Sequence, residues 1–213
     1  MNADLRNCRL YGFIDTTYLA GRDLAKVARK LIEGGADILQ LRAKTQDPGK
    51  VTTMATQILS VTRPAGLPLI IDDYPEIVER VGAEGVHLGQ EDLQTQAFAT
   101  VRARLGRQKI IGISTHSLEQ ALEAERSGAD YIGLGPIFPT GTKPGRPAVG
   151  LELITQVVER IKIPIVCIGG INLGNVRQIK NAGASWIAVV SAILCADNPA
   201  ETAREFKLIM EQK

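Results

Sequence analysis

The sequence predicts an α/β fold, a single (β/α)8 TIM barrel in which residues 1–213 form one domain. Three observations predict it. Short apolar segments alternate with amphipathic ones eight times. A Gly-Ala-acid repeat recurs at intervals that span two such units. Polar, chemically able residues gather just after the apolar segments, where this fold carries its chemistry.

The elements follow in order. Strands are predicted at 10–14, 38–41, 69–71, 85–88, 109–113, 131–134, 165–168 and 186–190, each a short apolar run. Helices are predicted at 23–33, 49–62, 76–81, 94–105, 118–127, 151–160, 175–181 and 199–210. Strand–helix alternation implies βαβ units and a parallel sheet. Eight units in a compact domain favour closure over an open, doubly wound sheet. Gly35-Ala36-Asp37, Gly82-Ala83-Glu84, Gly128-Ala129-Asp130 and Gly183-Ala184-Ser185 each end a helix and lead into an even-numbered strand. Glycine there can take the left-handed conformation that terminates a helix.

Composition narrows the function. Of the 213 residues, 25 are Lys or Arg and 23 are Asp or Glu, giving a net charge of +2 with no basic run. Nucleic acid and anionic membranes are therefore poor partners. Aromatic residues are only 4%, too few for a base-stacking surface. Cys8, Cys167 and Cys195 are odd in number and lack CxxC spacing, which argues against a disulfide framework or a thiolate metal site and for a reducing cytoplasm. The polar N-terminal residues do not read as a signal peptide, and no apolar run approaches the roughly 20 residues of a membrane span. The expectation is a soluble cytoplasmic protein with small-molecule ligands; a homo-oligomer stays open.

The strand ends suggest phosphate chemistry. Gln40, Arg42 and Lys44 are two apart, so they share one side, and Leu39 and Leu41 take the other. A buried guanidinium needs a partner, either an anionic ligand or an internal carboxylate. Asp72 and Asp73 follow the third strand, and Gln90, Glu91 and Asp92 the fourth. Carboxylates from neighbouring strand ends can hold Mg2+, which favours one or two carboxylates plus substrate phosphates. The same acids can cap the helices that follow, and Asp92 can do both. Ser114 and Thr115 read either as substrate contacts or as a helix cap. His116 reads as a loop residue and His87 as structural; no Ser/His/Asp triad can be argued. The run from Gly133 to Lys143 joins backbone N–H groups, Thr140, Thr142 and an ammonium in a loop that suits an oxyanion, or else is a plain Pro/Gly turn. Gly169, Gly170 and Ser191 follow the seventh and eighth strands, the usual phosphate site of this fold.

These segments resemble one family. Gln40-Leu41-Arg42-Ala43-Lys44, Gly85 through Leu93 (GVHLGQEDL), Ile113-Ser114-Thr115-His116, Gly133 through Lys143 (GLGPIFPTGTK), Ile168-Gly169-Gly170-Ile171 and Val189 through Ile193 are similar to thiamine-phosphate synthases, in order and with barrel spacing. The resemblance implies condensation of 4-amino-2-methyl-5-hydroxymethylpyrimidine pyrophosphate with hydroxyethylthiazole phosphate, releasing pyrophosphate by a dissociative path. It implies Mg2+ on Asp73 and Asp92, and pyrophosphate on Arg42, Lys44 and Lys143, with Ser114 holding the leaving group. It places Gln40 beside the pyrimidine and Thr140 and Thr142 near the thiazole phosphate, which Gly170, Val190 and Ser191 bind. The chain departs from the family at Ala43 (usually Glu), Asp72 (usually Asn) and Tyr74 (usually Arg). Asp72, placed among the pyrophosphate contacts, either opposes that anion or joins the metal as a third acid. The alternatives are a related thiazole tautomerase, which lacks the metal carboxylates and has a histidine where this chain has Pro136, and a non-catalytic phosphate-binding barrel.

Overall fold

A computed structural model describes residues 5–19, 21–141, 145 and 147–212. Its eight strands are β1 (Leu10–Asp15), β2 (Ile38–Arg42), β3 (Leu69–Asp72), β4 (Gly85–Leu88), β5 (Ile110–Thr115), β6 (Tyr131–Leu134), β7 (Ile165–Ile168) and β8 (Trp186–Val189). They pair in sequence order, all parallel, and β8 pairs with β1 to close the barrel. The (β/α)8 reading is therefore right.

The major helices are those the periodicity predicts, with instructive differences. The chain adds α1 (Thr16–Leu19) directly after β1, ahead of α2 (Leu24–Glu33), α3 (Pro48–Thr62) and α4 (Pro75–Val81). The helix expected at 94–105 is two helices, α5 (Gln90–Thr95) and α6 (Phe98–Leu105). Gln90, Glu91 and Asp92 thus form a first helical turn rather than a loop, because the Asp92 carboxylate accepts the Gly89 N–H at 2.7 Å and starts the helix there. Helices α7 (Leu118–Ser127), α8 (Leu151–Val158) and α9 (Val176–Asn181) follow; α10 (Ser191–Leu194) is a short helix within the predicted loop after β8, and α11 (Pro199–Glu211) closes the chain. Strand β5 runs two residues further than predicted, so Ser114 and Thr115 lie in the strand, and Ser117 caps α7 instead, accepting the Gln120 N–H.

The repeat has a structural explanation. Gly35, Gly82, Gly128 and Gly183 all have positive φ, between 71° and 103°, as a left-handed helix stop requires. The acids that follow turn outward to the amino-terminal ends of the preceding odd strands. Asp37 accepts the N–H groups of Arg9 and Leu10 at 2.7 and 2.9 Å and also pairs with Lys207. Glu84 accepts the Leu69 N–H at 2.9 Å, and Asp130 accepts the Ile111 N–H at 2.7 Å. Each acid therefore satisfies a strand-end donor on its neighbour. The fourth copy ends in Ser185, which is exposed.

Tyr11, Tyr131 and Trp186 fill the barrel axis, their ring centroids 5.7–5.9 Å apart. Gly112 faces this cluster, where a Cβ would collide with the Tyr131 ring. No described helix is long and apolar enough to cross a membrane.

Asp37→Ala leaves two strand-end donors without an acceptor. We expect a loss of about 2–3 kcal/mol in urea unfolding; a change below about 0.5 kcal/mol, the range of ordinary surface substitutions, would show that Asp37 does not secure β1.

Candidate functional site

The carboxyl ends of the strands surround a pocket of about 400 Å³. Phe13, Val166, Ile168 and Ala188 give it apolar walls. Of the residues that the sequence nominates, Gln40, Arg42, Asp72, Ser114, Thr140, Gly170, Val190 and Ser191 line it together. Lys44, Asp73 and Asp92 form a charged cluster beside it and do not line it. Thr142 and Lys143 lie outside the described residues.

Arg42 is the best-anchored cation. Its Nη1 donates to Asp15 Oδ2 at 2.7 Å, and its Nε lies 3.9 Å from Asp72 Oδ2. Asp15 is fully buried at the end of β1, and its other oxygen accepts the Thr17 N–H at 2.9 Å. The internal ion pair and the ligand-facing position are both realised, because Arg42 also lines the pocket. Asp15 gave no signal in the sequence, since it ends an otherwise apolar run.

Lys44 lies beyond the end of β2. Its ammonium is 3.4 Å from Asp72 Oδ2 and makes a short contact with Asp73 Oδ2. Burial works against its charge, but Asp72, Asp73 and Asp92 outweigh that and raise its pKa. Lys44 is thus held by carboxylates, and Asp72 sits between two cations.

Asp73 has φ of 70°, a left-handed conformation that is uncommon outside glycine but tolerated by Asp. Its N–H donates to the His87 carbonyl at 2.9 Å. Its Oδ1 is buried and accepts no hydrogen bond. Asp92 lies against Asp73, and burial together with the Asp73 charge pushes its carboxyl above the usual range. Two facing carboxylates need a shared proton or a cation between them. Among the described residues no three His, Cys, Asp or Glu side chains gather as a metal cluster. The pair nevertheless fits a magnesium ion, which takes one or two carboxylates and completes its shell with water and phosphate. Asp92 also caps α5, which is one of the two jobs that the sequence allows it.

His87, which the sequence reads as structural, also lines the pocket, with Nδ1 2.9 Å from the Tyr131 hydroxyl and Nε2 2.9 Å from Ser114 Oγ. His116 lines the pocket as well; its N–H donates to Gln120 Oε1 at 2.7 Å, and its Nδ1 contacts the Gly135 carbonyl. Tyr11 and Tyr131 were also missed as wall residues. Inward-facing parity is their signal, but β1 and β6 are almost wholly apolar and show no alternation. On the far side, Gly169 and Gly170 have φ of 102° and 63°. Their bare Cα atoms let the β7 loop pack on Pro136, Phe138 and Pro139. Val190, Ser191 and Ala192 line the wall at the start of α10, where N–H groups have no intrahelical acceptor.

A family model described as thiamine monophosphate synthase matches residues 10–193. The chain is 42% identical over 205 residues to the thiamine-phosphate synthase of Shouchella clausii (strain KSM-K16), covering 96% of this chain and 97% of that one. It is likewise 42% identical to the thiamine-phosphate synthase of Halalkalibacterium halodurans, with 98% of each covered. Among solved structures it resembles the thiamine phosphate pyrophosphorylase from Pyrococcus furiosus, with a TM-score of 0.86, 35% identity and 98% of each chain covered. A geranylgeranylglyceryl phosphate synthase from Thermoplasma acidophilum, at 16% identity and a TM-score of 0.71, shares the fold alone.

Arg42→Met strands the buried Asp15 charge. We expect it to cost on the order of 3–5 kcal/mol, and Asp15→Asn added to it should recover much of that loss in urea unfolding. Strict additivity of the two changes would show that the pair is not coupled.

Proposed function

The chain belongs to the thiamine monophosphate synthase family, and we propose that this transferase joins 4-amino-2-methyl-5-hydroxymethylpyrimidine pyrophosphate to hydroxyethylthiazole phosphate in the cytoplasm, with Mg2+ at Asp73 and Asp92. One observation carries the assignment of substrates: an apolar-walled pocket opens beside a cluster in which Arg42, Lys44 and two facing carboxylates adjoin. That arrangement suits a pyrophosphate leaving group attached to an aromatic ring.

In this reading, the bond between the pyrimidine methylene and oxygen breaks first, and its electron pair leaves with pyrophosphate. The thiazole nitrogen then donates its lone pair to the methylene, so no strong base is required. Arg42 arrives pre-oriented by Asp15 and stabilises the charge that grows on the leaving group. Lys44 lies next to the same charge. Ser114 donates a hydrogen bond toward it. The apolar walls keep water from the pyrimidine cation, which water would otherwise capture. Gly170, Val190 and Ser191 offer backbone donors to the thiazole phosphate at the opposite wall. Bound magnesium would supply positive charge opposite the pyrophosphate. Thr142 and Lys143, outside the described residues, are assigned to the substrates on the resemblance alone. The tautomerase alternative gains nothing from the site, where the metal carboxylates are present and Pro136 lines the wall.

The test is direct. Incubation with both substrates and Mg2+ should yield thiamine phosphate, and excess EDTA should abolish it. Asp92→Asn should lower kcat by orders of magnitude and remove the thermal stabilisation that Mg2+ gives the parent protein. Full activity in EDTA would reject the metal, and no product under any condition would reject the reaction.

Asp72 supports a chain-specific expectation. Because its carboxylate occupies the place of an anion between Arg42 and Lys44, Asp72→Asn should lower the KM for the pyrimidine pyrophosphate about two- to fivefold, the scale of a partly exposed ion pair. A weaker response to Mg2+ with slower turnover would instead mark Asp72 as a third metal ligand.

A further inference from the structure

Five side chains from five different strands form one unbroken line of hydrogen bonds across the pocket floor. Gln40 Nε2, on β2, donates to the Tyr11 hydroxyl of β1 at 3.0 Å. The Tyr11 and Tyr131 hydroxyls are 2.9 Å apart. Tyr131, on β6, lies 2.9 Å from His87 Nδ1 on β4, and His87 Nε2 lies 2.9 Å from Ser114 Oγ on β5. All five residues line the pocket. The Ser114 end is also fixed from behind, where Gln90 Nε2 donates to its carbonyl at 2.6 Å.

The Gln40 amide, donating at one end, gives this line a direction. Each tyrosine hydroxyl has one proton to give. Burial raises both phenol pKa values well above the ordinary tyrosine range, so both protons stay in place. With the Gln40 amide donating, Tyr11 accepts there and must spend its own proton on Tyr131. Tyr131 then accepts from Tyr11 and donates to His87 Nδ1. That leaves the imidazole proton on Nε2, where it is donated to Ser114 Oγ. Ser114 accepts from His87 and keeps its own hydroxyl proton for the pocket. A doubly protonated His87 would donate to Tyr131 and leave one tyrosine proton without an acceptor, which is costly at a site this buried. The opposite order, with the Gln40 oxygen at Tyr11, would turn the Ser114 proton toward His87 and make the serine an acceptor.

We infer that this line orders protons: it holds His87 as the Nε2–H tautomer and presents Ser114 to the pocket as a hydrogen-bond donor, so that Tyr11, Tyr131 and His87 act as positioning residues. The inference deepens the proposed function, because a donor is what a departing pyrophosphate oxygen requires. It also explains why two tyrosines and a histidine occupy the axis where Leu or Val would pack as well. Their hydroxyls and ring nitrogens carry a polarity from one side of the barrel to the other.

Two measurements test it. The chain has only two histidines, so 15N spectra of the imidazoles of the ligand-free protein, assigned with a His116→Gln variant, read the His87 tautomer directly. The expected result is Nε2–H in the parent and a mixture in Tyr131→Phe, which removes the central link with little change in packing. An Nδ1–H tautomer in the parent would overturn the inference. The second measurement is a kinetic cycle. Ser114→Ala should lower kcat about ten- to hundredfold, and Tyr131→Phe about five- to tenfold, as expected for hydrogen bonds to a charged group and their support. The double variant should be no slower than Ser114→Ala alone, and Ser114→Thr should restore the sensitivity to Tyr131→Phe. Losses that multiply in the double variant would place the role of Tyr131 elsewhere. Thermal unfolding of each variant separates these effects from a loss of fold. Failure to make thiamine phosphate would overturn the proposed reaction, whereas the tautomer measurement does not depend on that reaction.

Discussion

Closing eight parallel strands into a ring sends alternate side chains to the barrel axis, and the rest of the structure follows from how that axis is filled. Groups on that axis are buried, which favours close packing or a hydrogen-bond partner within the protein. Deep in the barrel the solution is aromatic, with Tyr11, Tyr131 and Trp186 packed together. Toward the carboxyl ends it becomes polar, and Gln40, His87 and Ser114 are joined through the tyrosine hydroxyls. The pocket is where the filling stops.

Above this layer, charge alternates across the ends of β1, β2 and β3. Asp15 holds Arg42, Arg42 lies beside Asp72, and Lys44 bridges Asp72 and Asp73. Each member is held by a neighbour of opposite sign, so the cations keep a defined position without a ligand. The series ends at Asp92, where two acids adjoin and the burial of one raises its pKa. An excess of negative charge at that point favours a cation. Asp73 sits there at positive φ, a backbone conformation that costs some stability even for Asp. Such a cost is common where a site is shaped for a ligand.

The opposite end of the barrel uses acids differently. Asp37, Glu84 and Asp130 give their oxygens to backbone N–H groups at strand starts, and Arg102 and Lys207 support two of them. Those carboxylates serve the fold. The acids at the carboxyl ends face one another, cations and the pocket, on the side where this fold carries its chemistry. Both sets are Asp and Glu at the ends of strands, and only the end on which they lie separates the roles.

The sequence by itself determined the architecture. Eight apolar segments, the glycine repeat and the spacing of the motifs specify eight strand–helix units, because periodicity and left-handed glycines are local properties of the chain. It also nominated much of the polar part of the pocket wall, since Gln40, Arg42, Asp72, Ser114, Thr140, Gly170, Val190 and Ser191 stand in distinctive motifs and meet at one opening. Tertiary structure alone decided the pairings. Asp15 finds Arg42, Tyr11 finds Tyr131, and His87 finds Ser114 across 27 to 120 residues of sequence. Asp15, Tyr11 and Tyr131 lie on strands that look almost wholly apolar, and His87 lies in a motif where a histidine reads as packing, so nothing local marks those four as partners. The Asp15–Arg42 and His87–Ser114 contacts depend on the register of neighbouring strands, and the Tyr11–Tyr131 contact crosses the barrel from β1 to β6 and exists only in the closed sheet.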